Sequence, residues 1–391
     1  MNKNTKRVLG IVAASALVLG VAVTNAQAAK TITLVYQGPM TGDDGQTGQD
    51  EYLGVLTAAQ MYNDSNPKVK VIVKSADDQG GASGAGIIAP GIAADKSVVG
   101  IIGPAFSGAS IASFPSYKPA GIPMISPSAT NPTLTDPKSP KNGYPFFHRV
   151  LATDDLQGPA LVKLAIQGVA SPKIYVIDDK SGYGNATDGL AALVNAYIAK
   201  AKLTKVGSDS ITKGTAATAT GAKDKLKASG ANVVIYAGYY SDAGALIKSF
   251  RDNGYTGIFA SGDGTLSSDF IPAAGKDAAE GTRITAPSLP FELAATPAML
   301  AAFKKATKLS GPEGHTYVTE AFNAANIFFD CIKKGKTTRP GIQACISTGT
   351  FTGADGSKIV FTRYGEITGG APIGDFIIKG GKIVYNGAVK G

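Results

Sequence analysis

Two short apolar runs, each followed by a turn rich in hydroxyl side chains, constrain the fold of this chain more than any other feature. The first run, Val98–Ile102, leads into a helical pattern that begins at Ser107. The second, residues 122–125, ends in the segment 126–130, which reads SPSAT. Buried strands separated by a helix lie parallel in one sheet, and such sheets bind small ligands at the carboxyl edge of their strands. The sequence therefore predicts a parallel sheet with hydroxyl and free N–H groups at one edge.

The helix that begins at Ser107 favours an anion at this edge. Its first N–H groups have no partner within the helix, and the helix dipole adds partial positive charge there. A carboxylate fits both features. The alternative is that the two turns only cap the elements they join, and the residues alone do not decide between these interpretations.

The alternation of strand and helix continues along the chain and predicts an α/β fold. Further strands are predicted at residues 31–36, 69–73, 146–150, 173–177, 233–236 and 257–260. Helices are predicted at residues 48–63, 85–95, 156–166, 185–200, 219–228, 243–252, 297–307, 317–334 and 340–347. Pro90 and Pro115 weaken two of the helical patterns. A hairpin of residues 373–379 and 382–385 is predicted to turn at Gly380-Gly381.

The amino terminus is typical of a signal peptide. Lys3, Lys6 and Arg7 precede an apolar run over residues 8–23, and residues 26–28 read AQA, a small-x-small cleavage pattern. The run is shorter than the roughly 20 residues of a membrane-spanning helix, which makes a retained anchor the weaker alternative. We expect residues 1–28 to be removed and the remainder to be exported to the periplasm as a soluble protein.

Removal of 28 residues from 391 leaves 363, more than one hydrophobic core usually serves. Glycine and proline interrupt the pattern near residues 152–154, 286–290 and 369–372, where a chain could cross between two lobes. Three crossings make each lobe discontinuous. The predicted lobes are residues 29–151 with 287–371, and residues 152–286 with 372–391.

Charge and cysteine content narrow the class of protein. The net charge is +9, and subtracting Lys3, Lys6 and Arg7 leaves +6, spread over scattered lysines without interleaved aromatics. A solvated basic surface explains this pattern better than a nucleic-acid interface. The two cysteines, Cys331 and Cys345, predict one disulfide in an exported protein, and two free buried thiols are the alternative.

The sequence lacks the motifs that catalysis or metal binding requires. The two histidines, His148 and His315, have no nucleophile motif near them, so structural roles are expected. The aspartate pairs at 77–78, 154–155 and 178–179 lack the spacing of a calcium loop and are interpreted as caps and turns. We therefore expect no metal, no cofactor and no enzymatic activity, and binding is favoured over catalysis.

Several segments together carry a family resemblance. They are residues 38–42, 102–107, 124–132, 154–159, 179–184, 236–239, 261–264 and 279–281. In this order and spacing the chain resembles the periplasmic leucine/isoleucine/valine-binding proteins, which are type I solute-binding proteins. The resemblance implies two Rossmann-like lobes with parallel sheets joined by a three-strand hinge. It also implies a monomer that closes on a free amino acid and delivers it to an inner-membrane ABC permease.

The resemblance also implies roles for individual residues. Ser107 corresponds to a position that holds the ligand's carboxylate, and Thr130 to one that serves both the carboxylate and the ammonium. Ser128 corresponds to a position whose carbonyl accepts from the ammonium. Tyr239 corresponds to a hydrogen-bonding position of the second lobe. Asp263 stands where familiar members use glutamate to pair with the ammonium, so its shorter side chain changes the reach of that contact.

The family resemblance also implies which residues enclose the ligand's side chain. Tyr183 and Tyr317 correspond to aromatic walls of the side-chain pocket, and Thr47 stands where one well-known member has an aromatic residue. A branched-chain aliphatic amino acid is the leading hypothesis for the ligand. The alternatives are an amide, urea or small carboxylate bound by the same fold, or a ligand-sensing receptor domain.

Overall fold

The computed structural model describes residues 31–216 and 221–390. The predicted signal peptide, residues 1–28, and the first two residues of the helix predicted at 219–228 lie outside the described residues. Within them, strands and helices alternate as predicted and form two α/β lobes, each built around one sheet. No helix in the described ranges is both long and apolar enough to cross a bilayer.

The first lobe contains a five-stranded sheet in which every neighbouring pair is parallel. Its strands are β1 (Thr31–Gly38), β2 (Lys70–Asp77), β3 (Val98–Ile102), β4 (Met124–Ser126) and β5 (Phe147–Arg149). The helices between them are α1 (Gly45–Asp64), α2 (Ala82–Ala94) and α3 (Ser107–Tyr117). The strand order is β2-β1-β3-β4-β5, and Ile102 pairs with Ile125. The two apolar runs of the sequence are therefore adjacent parallel strands, as predicted.

The second lobe repeats this order. Its elements are α4 (Asp154–Ile166), β6 (Lys173–Asp178), α5 (Leu190–Lys200), β7 (Thr204–Ser210), α6 (Gly221–Ser229), β8 (Val233–Ala237), α7 (Tyr240–Asp252), β9 (Ile258–Ser261), α8 (Phe270–Ala274), α9 (Lys276–Ala279) and β10 (Arg283–Ala286). The parallel strands run β7-β6-β8-β9-β10, which is the order of the first sheet. In both sheets the strand order reverses beside the first strand, where open sheets form a ligand crevice.

The last third of the chain serves both lobes. Its elements are α10 (Phe291–Ala294), α11 (Pro297–Thr307), α12 (Val318–Lys333), α13 (Arg339–Thr348), β11 (Phe351–Thr352), β12 (Lys358–Ile359), β13 (Gly374–Lys379) and β14 (Lys382–Ala388). Phe322 and Phe328 of α12 share a buried core with Leu34 of β1 and Val55 of α1, so this helix belongs to the first lobe. The hairpin β13-β14 instead pairs antiparallel with β10 and extends the second sheet to seven strands.

The chain passes between the lobes three times, at residues 150–153, 287–290 and 368–373. These positions lie near the three glycine- and proline-rich points of the sequence. The residue bounds assigned to each lobe stay a prediction.

Several predicted elements need correction. The helix predicted at 185–200 begins at Leu190, because the side chain of Asn185 accepts bonds from the Thr187 and Asp188 N–H groups and holds a turn. Strands β7 and β10 were not predicted. Pro90 and Pro115 lie inside α2 and α3 without ending them. Pro90 is exposed, so its ring meets water rather than a packed neighbour.

A disulfide joins Cys331 of α12 to Cys345 of α13, as the two-cysteine count predicted. Cys331 is fully buried in the core of the first lobe. The crosslink therefore fixes α13 against the helix that forms the centre of this core.

Candidate functional site

The turns at the carboxyl ends of both sheets meet around one small cavity of about 10 Å³. Its walls are formed by Thr47, Phe106, Ser107, Ser128, Tyr183, Tyr239, Asp263, Gly264 and Tyr317. Seven of the eight residues predicted to contact a ligand are therefore brought together, and Thr130 is the exception. Ligand pockets in proteins generally span roughly 300–1,000 Å³, so the lining side chains must move apart before this cavity can enclose a ligand.

The first lobe supplies hydroxyl groups to the cavity. Ser107 is the first residue of α3, directly after the β3 turn, and its Oγ accepts from the Asn131 N–H at 3.3 Å. Ser128 follows β4, and its Oγ donates to the Ala105 carbonyl at 2.8 Å. Both side chains are buried. Hydroxyls beside the start of a helix form a polar wall that suits a carboxylate.

Thr130 does not line the cavity, although the sequence placed it with Ser107. It is fully buried, its carbonyl accepts from the Asp154 N–H at 3.0 Å, and its hydroxyl has no hydrogen-bond partner among the described residues. The turn after β4 directs Ser128 to the cavity wall and leaves Thr130 one layer behind it. Its role in ligand binding stays a prediction.

The second lobe supplies one carboxylate. Asp263 follows β9 and is 5% exposed, and the Tyr317 hydroxyl of the first lobe donates to its Oδ2 at 2.8 Å. Its Oδ1 has no partner among the described residues. Burial raises the pKa of Asp263, while hydrogen bonding from the Tyr183 and Tyr317 hydroxyls favours the charged form. Asp263 can therefore accept a bond from a cationic group inside the cavity.

Aromatic rings form the remaining wall. The rings of Phe106 from the first lobe and Tyr239 from the second stack with centroids 4.3 Å apart, and Tyr183 lies 5.4 Å from Tyr239. Tyr317 has a left-handed backbone with φ of 60°, which turns the chain into α12 and directs its hydroxyl to Asp263. Phe106 was not predicted as a site residue, although it directly precedes Ser107 in the turn after β3.

Direct contacts hold the rims of the two lobes together. Lys213 of the second lobe lies 2.8 Å from Asp44 of the first and donates to the Gly80 carbonyl at 2.9 Å. Ser241 of the second lobe donates to Asp44 at 2.9 Å. The cavity thus lies inside a closed cleft.

Backbone groups also meet across this cleft. The Asn131 side-chain amide donates to the backbone carbonyl of Gly182 at 2.7 Å. A Cβ built on Gly182 would lie 2.7 Å from the Gly108 Cα, closer than packed atoms approach. Glycine at position 182 is therefore required for the two backbones to come this near.

The contacts of both histidines indicate structural roles. His148 is fully buried, its Nδ1 lies 3.3 Å from the Met124 carbonyl, and burial lowers its pKa to about 4. His315 is bonded to Asp50 at 2.7 Å, which raises the pKa of the histidine. Across the described ranges, no three His, Cys, Asp or Glu side chains converge as metal ligands.

A family comparison identifies the class of protein. A family model of periplasmic binding proteins matches residues 31–380. The chain belongs to the periplasmic binding protein family. Members of this family bind solutes and are not enzymes, which confirms the expectation of binding rather than catalysis.

Curated relatives of this binding protein support the resemblance seen in the sequence. The leucine-specific-binding protein of Salmonella typhimurium is 30% identical over 78% of this chain and 80% of the relative. The leucine-, isoleucine-, valine-, threonine- and alanine-binding protein of Pseudomonas aeruginosa is 27% identical over 94% of this chain and 95% of the relative.

Solved structures confirm the fold of this binding protein. A leucine-binding protein from Thermotoga maritima has a TM-score of 0.77 at 21% identity, covering 92% of this chain and 99% of that one. A Streptococcus pneumoniae branched-chain amino acid binding protein with isoleucine has a TM-score of 0.74 at 20% identity, with coverage of 91% and 100%. An R. palustris solute-binding protein with 4-hydroxybenzoate also reaches 0.74, at 17% identity and coverage of 92% and 96%.

Proposed function

We propose that this protein binds a free aliphatic amino acid, most simply a branched-chain one, in the cleft between its lobes. It then delivers the ligand to an ABC permease at the inner membrane. The observation that carries the proposal is that one buried carboxylate, Asp263, lines the same small cavity as the hydroxyl-bearing residues Ser107 and Ser128. These groups complement the ammonium and the carboxylate of one zwitterion.

The energetic reason is the cost of removing charges from water. An ammonium and a carboxylate lose their hydration on enclosure, and only nearly complete pairing recovers that loss. Asp263 offers its free Oδ1 to the ammonium. Ser107 offers its hydroxyl, and the first N–H groups of α3 offer donors, to the carboxylate, while the Ser128 carbonyl is offered to the ammonium. Tyr183, Tyr239 and Phe106 offer apolar ring surface to an aliphatic side chain.

The names of the curated relatives support the same ligand class, since both relatives are named for leucine or for several aliphatic amino acids. We propose that the protein acts as a periplasmic monomer without a nucleic-acid partner. The transport role proposed above requires an ABC permease as its partner.

Calorimetry on protein stripped of ligand by unfolding and refolding tests this proposal. Titration with each of the twenty amino acids should give heat with leucine, isoleucine or valine. Asp263→Ala should weaken that binding at least tenfold, because about 1.4 kcal/mol corresponds to a factor of ten and a buried unpaired ammonium costs more. Exposed Asp155→Ala is the matched control and should bind as the parent does. No heat with any amino acid would reject the proposal.

A second candidate ligand is a small aromatic or aliphatic carboxylate, which one structural neighbour binds in the form of 4-hydroxybenzoate. Such a ligand has no ammonium and would leave Asp263 unpaired. Competition between leucine and its deaminated analogue, 4-methylpentanoate, separates the two candidates. Displacement of leucine by an equal concentration of the analogue would favour the carboxylate.

A further inference from the structure

Asn131 lies in the turn after β4, next to Thr130, and contacts both lobes. It is fully buried and does not border the cavity. Its side-chain Nδ2 donates to the Gly182 carbonyl of the second lobe at 2.7 Å, and its backbone N–H donates to the Ser107 Oγ of the first lobe at 3.3 Å. One residue therefore joins a proposed ligand contact to the opposite side of the cleft.

Neighbouring groups of the first lobe fix the orientation of the Asn131 amide. Its Oδ1 accepts from the backbone N–H and from the hydroxyl of Thr133, both at 2.8 Å. A backbone N–H can only donate, so the amide oxygen faces Thr133 and the amide nitrogen faces Gly182. The Asn131 carbonyl also accepts from the Arg149 guanidinium at 3.0 Å. The donor is thus oriented within the first lobe alone, which lowers the entropy cost of its contact with the second.

The acceptor is held as firmly in the second lobe. Gly182 lies in the turn between β6 and α5, where the Ser181 Oγ accepts from the N–H groups of Tyr183 and Gly184 at 3.3 and 2.9 Å. The Asn185 side chain donates to the Ser181 carbonyl at 2.9 Å. These bonds fix the turn that presents the Gly182 carbonyl to Asn131, directly beside Tyr183 of the cavity wall.

The bond to Ser107 leaves the proton of that hydroxyl available. A hydroxyl has one proton to donate and two lone pairs that accept. The Asn131 N–H occupies one lone pair of the Ser107 Oγ, and no residue in the described ranges accepts the proton. The hydroxyl can therefore donate to a carboxylate in the cavity while its oxygen stays bonded to Asn131.

We propose that Asn131 is a positioning residue that couples binding of the ligand's carboxylate to closure of the cleft. It orients the Ser107 hydroxyl in the first lobe, and its side chain reaches Gly182 only when the second lobe has closed. The inference rests on the proposed function and adds to it a residue that does not touch the ligand. A contact made in the closed form alone favours that form with or without ligand and slows ligand release.

The substitution Asn131→Asp tests the contact, because it replaces only the nitrogen that faces Gly182. The remaining oxygen still accepts from Thr133, whereas the new carboxylate oxygen repels the Gly182 carbonyl in the closed form only. Rapid filtration of protein loaded with carbon-14 L-leucine at pH 7 gives the dissociation rate constant, and calorimetry gives the affinity. We expect dissociation at least tenfold faster and an association rate constant that changes less than threefold. Equal dissociation rates for Asn131→Asp and the parent would overturn the inference.

Two further variants separate this effect from folding and from added charge. Asn185→Asp is the matched control, because its Oδ1 also accepts from backbone N–H groups and its Nδ2 also donates to a backbone carbonyl, all within the second lobe. It should release leucine within twofold of the parent rate. Asn131→Ala removes the donor without adding charge and should release leucine at least threefold faster. Faster release from Asn131→Asp alone would assign the effect to charge and reject the positioning role.

A measurement without ligand keeps the inference distinct from the proposed function. Small-angle X-ray scattering gives the radius of gyration of the ligand-free protein, which rises as the lobes separate. Asn131→Asp should have a larger radius than the parent, and Asn185→Asp should match the parent. If no amino acid gives heat with the parent, the proposed ligand fails while the contact is still tested here. Equal radii for Asn131→Asp and the parent would reject the role in closure whatever the ligand.

Discussion

The ammonium of Lys213 in the second lobe lies 2.8 Å from the carboxylate of Asp44 in the first lobe. Asp44 is almost fully buried, while the Lys213 side chain is 24% exposed. The same ammonium donates to the Gly80 carbonyl and lies 4.3 Å from the centre of the Tyr239 ring. Because the contacts of Lys213 with Asp44 and Gly80 join residues of different lobes, they stabilise the closed cleft and contribute nothing once the lobes separate.

Lys213→Met should therefore weaken ligand binding. The substitution leaves the buried Asp44 carboxylate without its cation in the closed form only, which shifts the balance toward the open form. We expect a loss of about tenfold in affinity, which corresponds to about 1.4 kcal/mol. Isothermal calorimetry measures the change, and Lys225→Met is the matched control because the Lys225–Asp209 pair lies within one lobe and is exposed. Equal affinities for the parent and Lys213→Met would contradict this account of closure.

Tyr317→Phe should weaken binding without destabilising the fold. The hydroxyl of Tyr317 donates to Asp263 across the cleft, and hydrogen bonds to charged groups contribute roughly 1.5–3 kcal/mol. The phenylalanine ring keeps the packing, so the melting temperature should change little while affinity falls about tenfold or more. Tyr144→Phe, at a ring that is 42% exposed, is the control. A variant that binds as tightly as the parent would show that this bond is not used in the ligand-bound form.

The buried Glu51 makes stability depend on pH. Its Oε2 accepts from the Tyr36 hydroxyl at 2.9 Å, its Oε1 has no partner among the described residues, and burial raises its pKa to about 8. Below the ordinary pKa of 4.5 both folded and unfolded states hold the proton. Between 4.5 and 8 only the folded state holds it, so the free energy of unfolding falls as pH rises, by about 1.4 kcal/mol per unit from this group.

Glu51→Gln should remove this part of the pH dependence. Urea unfolding at pH 5, 7 and 8.5 should show a flatter profile for the variant than for the parent, with the variant gaining relative stability at the highest pH. Glu320 and Asp179, whose pKa values burial raises to about 7, leave a residual slope of the same sign. The exposed control Glu280→Gln should run parallel to the parent. Parallel profiles for Glu51→Gln would show that this carboxyl ionises in the folded protein.

Loss of the disulfide should lower stability and spare binding. The bond between Cys331 and Cys345 closes a loop of 14 residues, which contributes roughly 3 kcal/mol in the chain-entropy model. The double variant Cys331→Ala, Cys345→Ala should melt at a lower temperature and keep its ligand affinity, since neither residue lines the cavity. Reductant should lower the melting temperature of the parent and leave that of the variant unchanged. A parent that melts identically after verified reduction would contradict the prediction.

The sequence predicted the strands that form the centre of each sheet because these are continuous apolar runs. Strand β7 was missed because it lies at a sheet edge and reads TKVGSDS, with mostly exposed residues and no apolar run. Strand β10 was missed because its four residues adjoin a proline-rich crossing. Local patterns cannot identify such strands, since only pairing with distant neighbours holds them in place.

The candidate site likewise contains residues that local sequence patterns located and residues whose positions depend on distant parts of the chain. Ser107 and Ser128 follow predicted strands, so the carboxyl edge of the first sheet located them, whereas Asp263 was named from the family resemblance. The bond of Asn131 across the cleft could not be predicted, because its partner lies 51 residues away in the sequence, in the other lobe. The displacement of Thr130 behind Ser128 depends on the exact path of one turn, which residue types alone do not specify.

The stacked rings of Phe106 and Tyr239 belong to different lobes, and both border the same cavity. Each ring moves with its own lobe, so separation of the lobes parts the rings and opens this side of the cavity. A partner that separates the lobes would therefore control release of the ligand without contacting the ligand itself.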